Sequence, residues 1–191
     1  RAAGAAALVG VVLLPAVALY RLSTLNGAGR LTLWPTLAEK AMAQVQDEDL
    51  FVELDADSNS IAIIVKHIAG NMRSRWTDFL TTDGEKPTRD RDSEFEAPPR
   101  NRAELMTVWQ NAWSVLYAAL EPLSDADLSR TVAIRGEAHS VIQAIHRQLA
   151  HYAYHIGQIV YLARHFAAPH TTTRAITERI RRRLARAVTF V

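Results

Sequence analysis

The residues best placed to do chemistry in this chain are three histidines. His151 and His155 stand four apart in SVIQAIHRQLAHYAYHIGQIVYLARHF, residues 140–166. On a helix, residues four apart lie one turn above each other on the same face. Two imidazoles so placed can share one metal ion, and a third ligand must come from elsewhere. His67, in SIAIIVKHIAGNMRSRWTDFL (60–80), is the best candidate. Neutral imidazole nitrogen binds Zn, Ni, Fe or Cu, and three such ligands leave positions open for water or substrate. An open site of this kind acidifies bound water or activates a bound anion. No fourth protein ligand for a closed zinc site is evident. The plainer alternative is three polar residues on helix flanks, satisfied by water.

Two helices must position this trio. Ser140 and Gln143 form an S-x-x-Q capping box at the start of 140–166. Ile142, Ile145, Leu149, Tyr152, Ile156, Val160 and Ala163 then recur at helical spacing. His151 and His155 lie about 80–120° from the centre of that stripe, on the flank of Val141, Ala144, Gln148 and Leu162. In 60–80 the stripe is Ile61, Ile64, Val65, Ile68, Met72, Trp76 and Phe79. His67 sits roughly 120° away, beside Ser60, Ile63, Asn71 and Ser74. Mixed flanks of this type meet across partly wet clefts in helical bundles. Asn71, Gln148 and Gln158 are the candidates, by helical position, to orient the rings from behind. His139, His146, His165 and His170 fall at other faces or helix ends and read as structural.

The long words around the three histidines carry a resemblance. SNSIAIIVKHIAGNMRSRWTDFLTTDGEK and RGEAHSVIQAIHRQLAHYAYHIGQIVYLARH resemble the DinB-like superfamily of metal-binding four-helix bundles, in a bacterial branch described as a domain of unknown function. The resemblance covers about residues 37–166. It implies an all-α four-helix bundle with a long loop between helices 2 and 3. It also implies one divalent metal ion, Zn, Ni or Fe, held by His67, His151 and His155. Some members of the superfamily use their metal to activate a low-molecular-weight thiol, and others look like hydrolases. The family commonly carries an aromatic where Thr88 stands here.

The rest of the chain sets limits. The 191 residues suffice for one domain, and 49% hydrophobic to 22% charged is an ordinary globular balance. There is no cysteine, which removes disulfides, thiolate ligands and a Cys nucleophile, and fits a cytoplasmic protein. The net charge of +2 hides an asymmetry. Residues 171–191 hold six Arg against one Glu, and 1–30 hold three Arg and no acid. The middle, 31–170, holds 13 basic and 19 acidic residues, so the body lacks the basic surface a specific nucleic-acid binder needs. Mononucleotide and Ser-hydrolase motifs are absent, as is H-E-x-x-H.

These features divide the chain into a leader (1–35), a DinB-like bundle (36–168) and a basic tail (169–191). Residues 2–20 are uncharged and nearly long enough to span a bilayer, but Ala-rich and interrupted by Pro15, so a membrane anchor is the minority reading. The Ala- and Arg-rich text at both ends is also what a GC-rich gene read beyond its true limits yields. Pro35 is expected in the first turn of a helix over 36–45. Residues 81–100 read as a loop, either self-neutralising at the surface or a lid over the site. Asn101 and Glu104 mark an N-x-x-E box opening a third helix over 101–120. SDADL (124–128) reads as a short capped turn and TVAIR (131–135) as a short strand.

Two function classes follow. One is a metal-dependent enzyme of thiol transfer or hydrolysis, acting on a small molecule or a low-molecular-weight thiol. The other is a non-catalytic, metal-binding or stress-associated helical module. No general base is identified beyond the ligands. A homodimer remains open, and a membrane partner is not expected.

Overall fold

The computed structural model describes residues 30–167. The leader readings over 1–29, the basic tail and His170 lie outside the described residues. The described residues form four α-helices and one small sheet: α1 (Arg30–Met42), α2 (Ile61–Trp76), α3 (Arg102–Leu120), β1 (Thr131–Ile134), β2 (Glu137–Ser140) and α4 (Val141–Ala167). Short 3-10 turns occur at Glu48–Phe51, Asp92–Phe95 and Asp125–Ser129. No helix among the described residues is long and apolar enough to cross a membrane.

The helix starts follow from local chemistry. Ser60 accepts the Ile63 N–H at the head of α2. Ser140 accepts the Gln143 N–H, while the Gln143 side chain takes the Ser140 N–H, completing the box. Asn101 caps α3 through the Glu104 N–H, but the Glu104 carboxylate bonds the N–H of Arg100 rather than that of Asn101. Helix α1 departs from expectation: it begins at Arg30 and carries Pro35 inside it. A proline there removes the bond to the carbonyl of residue 31 and crowds that carbonyl, and Trp34, just before it, packs against the core. Helix α2 stops at Trp76 rather than running to residue 80.

The strand reading of 131–135 holds over Thr131–Ile134, but it is half of an antiparallel hairpin, with Ile134 paired to Glu137. Arg135 and Gly136 make the two-residue turn, both at positive φ (57° and 76°), the type I′ geometry that suits strand twist. His139 therefore lies in β2.

The core runs between the helices. Ile64, Ile68 and Met72 of α2, Trp109 and Leu116 of α3, and Ile156 of α4 are buried in one cluster, as their spacing predicts. Leu149 is the exception and is only half-buried. The buried face of α4 is rotated relative to the predicted stripe: Val141, Ala144, Gln148 and Ile159 are inside, while Ile142, Leu149 and Val160 sit at its edge. That rotation carries the histidine flank toward α2, and α4 packs on both α1 and α2.

Candidate metal centre

Both flanks of α2 are covered. One joins the apolar cluster, and the other holds His67, Asn71, Ser74 and Arg75, all buried. A helix hydrophobic on one face buries its other face only if something lies over it. Here the cover is α4 together with the loop 81–100. The loop is pinned at three places. Lys66 donates to the carbonyls of Ser93, Glu96 and Ala97. The Ser74 hydroxyl donates to Gly84 O and accepts the Lys86 N–H. Asp83 accepts the backbone N–H groups of Arg135 and Gly136 at 2.8 and 2.7 Å, tying the loop to the hairpin turn.

The three histidines come together in this covered cleft. Each offers one ligand nitrogen, and the three nitrogens lie within 4.8 Å of one another. His151 Nε2 and His155 Nε2 face each other at 3.1 Å. That is close to the roughly 3.3 Å edge of a tetrahedron with 2.0–2.1 Å Zn–N bonds. The ring centroids of His67 stand 5.5 Å from His151 and 4.8 Å from His155.

Which nitrogen each ring turns inward follows from what holds it behind. His67 Nδ1 lies 2.9 Å from Glu94 Oε2. A carboxylate only accepts, so Nδ1 carries the proton and Nε2 keeps its lone pair. His155 Nδ1 lies 2.8 Å from Gln158 Oε1, which frees its Nε2 in the same way. His151 Nδ1 is buried with no protein partner among the described residues. Two facing imidazole nitrogens with inward lone pairs repel each other unless a proton or a cation lies between them. A proton on one of the two nitrogens satisfies that contact as an ion would, and the three-nitrogen donor set could hold a metal ion of the imidazole-binding class.

The electrostatics favour the neutral form of His151 and His155. Burial pushes His151 down to about 3, with His155 and His67 adding to the effect. Burial also lowers His155, against the hydrogen bond its Nδ1–H donates to Gln158 Oε1. Neutral imidazole is the form that binds metal. Burial alone would raise the Glu94 carboxyl, but the hydrogen bonds of His67 and Arg89 outweigh it and hold it below the usual carboxylate range. Arg89 grips Glu94 with Nε and Nη2, both at 2.8 Å, and reaches Glu85 with Nη1 at 2.9 Å. Glu85 also accepts from Arg135 at 3.1 Å.

Of the residues expected behind the rings, Gln158 meets one. Asn71 does not: it is buried and lies 3.4 Å from the Tyr152 hydroxyl, which also accepts the Trp76 indole N–H at 2.8 Å. Gln148 is buried, with Oε1 unpaired among the described residues, and makes no bond to a histidine. Glu94, Arg89 and Phe95 were not singled out from sequence. Phe95 stacks on His67 at 4.6 Å, and the Arg91 guanidinium lies 5.7 Å from the Phe95 ring centre. Tyr154 meets His155 edge-on at 4.9 Å and is largely exposed. The run Arg89-Asp90-Arg91-Asp92 looks self-neutralising, yet its members part company: the Arg89 side chain is buried, while Asp90, Arg91 and Asp92 are exposed. Alternating charge gave no signal for that division.

A model of the family described as "Protein of unknown function (DUF1572)" matches residues 27–179. Comparison with curated proteins gives no match.

Proposed function

The chain belongs to the DUF1572 family, and from that premise we propose that it is a metal-dependent enzyme built as a DinB-like four-helix bundle. The proposed reaction is thiol-dependent transfer or hydrolysis of a small molecule. One observation carries the reading: three imidazoles converge in a cleft with one ligand nitrogen each within 4.8 Å of the others, two of them held from behind at Nδ1 by Glu94 and Gln158.

His67, His151 and His155 would hold one divalent ion, Zn, Ni or Fe. Bound there, the ion would supply Lewis acidity toward water or a thiol and leave positions open for substrate. The chain's own groups do the rest. Glu94 and Gln158 orient two ligands, while Phe95 and Tyr154 wall the rim with aromatic surface. The lack of cysteine fits a thiol that arrives as a cosubstrate. The cytoplasm, rich in such thiols, is the compartment this reading favours.

The test is metal analysis of protein purified without an affinity tag, beside His151→Ala. One divalent ion per chain in the parent and none in the variant is the expected result. A thiol-consumption assay over electrophile and ester panels then separates the enzyme from a metal-binding helical module. Tight metal with no turnover on any panel would establish the module instead.

A further inference from the structure

We infer that Glu94 is the residue that positions His67 in the three-histidine site, and that Gly70 is there to let its carboxylate cross α2. The inference rests on the metal reading above and adds a requirement to it: the loop 81–100 is part of the metal site, not a cover laid over a site already complete.

The geometry is specific. Glu94 is 4% exposed, and its side chain lies directly over Gly70. A Cβ at position 70 would stand 2.2 Å from Glu94 Oε1 and 2.5 Å from its carboxyl carbon. Any other residue at 70 would push the carboxylate away. A glycine in mid-helix costs about 1 kcal/mol relative to alanine, so its place here calls for a reason, and the crossing carboxylate supplies one. Gly70 is one turn beyond Lys66 and three residues beyond His67. That stretch of α2 therefore ties down the loop through Lys66, presents the ligand at His67 and makes room for its holder at Gly70.

Residues 94 and 95 fix the His67 ring in two directions. Glu94 bonds the ring edge at 2.9 Å, while Phe95 stacks on its face at 4.6 Å and 30°. Arg89 in turn fixes Glu94 by a two-point grip. A carboxylate behind a ligating imidazole sets its tautomer, orients the ring and raises its basicity. Without it, His67 is free to turn its ring or to present the wrong nitrogen.

The test is a double-mutant cycle on the full chain, read by Zn²⁺ calorimetry and by the visible spectrum of bound Co²⁺. The variants are E94Q, which keeps the side chain's shape, and G70A, E94A and G70A/E94A. Melting of each metal-free protein monitors folding separately. E94Q and E94A are expected to weaken Zn²⁺ binding by about 10- to 100-fold and to shift the Co²⁺ bands. G70A should act alike on the parent but add almost nothing to E94A, because its target is already gone. A merely structural Glu94 would lower the melting point and leave the spectrum and affinity unchanged, which would overturn the inference. A G70A effect that adds in full to E94A would overturn the role given to Gly70. A parent that binds neither ion would overturn the metal reading itself and this inference with it.

Discussion

Helix α2 is buried on two sides that are built from opposite materials. Its apolar stripe, with Ile61, Ile64, Ile68 and Met72, joins Leu105, Trp109 and Leu116 of α3 in a continuous cluster. Its other side presents His67, Asn71, Ser74 and Arg75 to α4 and the loop. The first side stabilises the fold in the ordinary way, by removing apolar surface from water. The second spends burial on groups that prefer water, and desolvation bears on each of them. Burial lowers Arg75, with Glu85 opposing at 3.7 Å, and its Nε and Nη1 have no partner among the described residues. The side that costs stability is also the side where ligand nitrogens converge, as expected where a fold sacrifices local consistency for a site.

Three measurements bear on that contrast. Truncation on the apolar side should give the largest effect. Trp109 is fully buried and donates its indole N–H to Glu39 at 3.0 Å. Trp109→Ala should cost about 3–5 kcal/mol in denaturant unfolding. A loss under 1 kcal/mol would show that the α2–α3 side is not the stabilising one.

The polar side should reveal itself through pH. His151 and His155 have folded-state values pulled below their ordinary one. The unfolded chain therefore takes up protons first as pH falls, and stability is lost below about pH 6.5. The carboxylates held low, Glu94 and Glu85, add their own loss only below about pH 4.5. Between pH 6.5 and 5 the metal-free protein should lose at most about 1–2 kcal/mol through His151, reduced by solvent screening of its partly buried ring, with His155 adding in the same direction, and His151→Asn should flatten that slope. A flat parent profile would mean that the rings are solvated.

The smallest effect should come from the boundary between the two sides. Leu149 is half-buried, so Leu149→Ala should cost about 1–2 kcal/mol, less than a full core deletion. A value near 4 kcal/mol would place the core edge of α4 where the simple stripe puts it.

Much of this architecture is legible locally. Ser140 with Gln143 and Asn101 at the head of α3 announce their helices because a cap involves residues three apart. The pairing of His151 with His155 is legible for the same reason. Ile64, Ile68, Met72 and Ile156 are readable as core because a helical stripe repeats along the chain. The start of α1 was not legible, since Pro35 suggests a beginning that the packing of Trp34 overrides. Nor was the second strand, whose residues EAHS show no apolar alternation and pair only through the Arg135-Gly136 turn.

Residue type and spacing alone thus determined three histidines on two helix flanks, an acidic body and the helices that carry them. Only the tertiary structure decided how far α4 turns about its axis, and so whether those flanks face each other. It alone decided that Glu94, 27 residues from His67 in sequence, stands behind that ring. The physical reason is that periodicity and capping are interactions within a few residues. The Glu94 contact depends instead on a loop path set at distant points, by Lys66 on α2 and by Asp83 on the hairpin turn. A loop without periodicity leaves no trace of that path in its own residues.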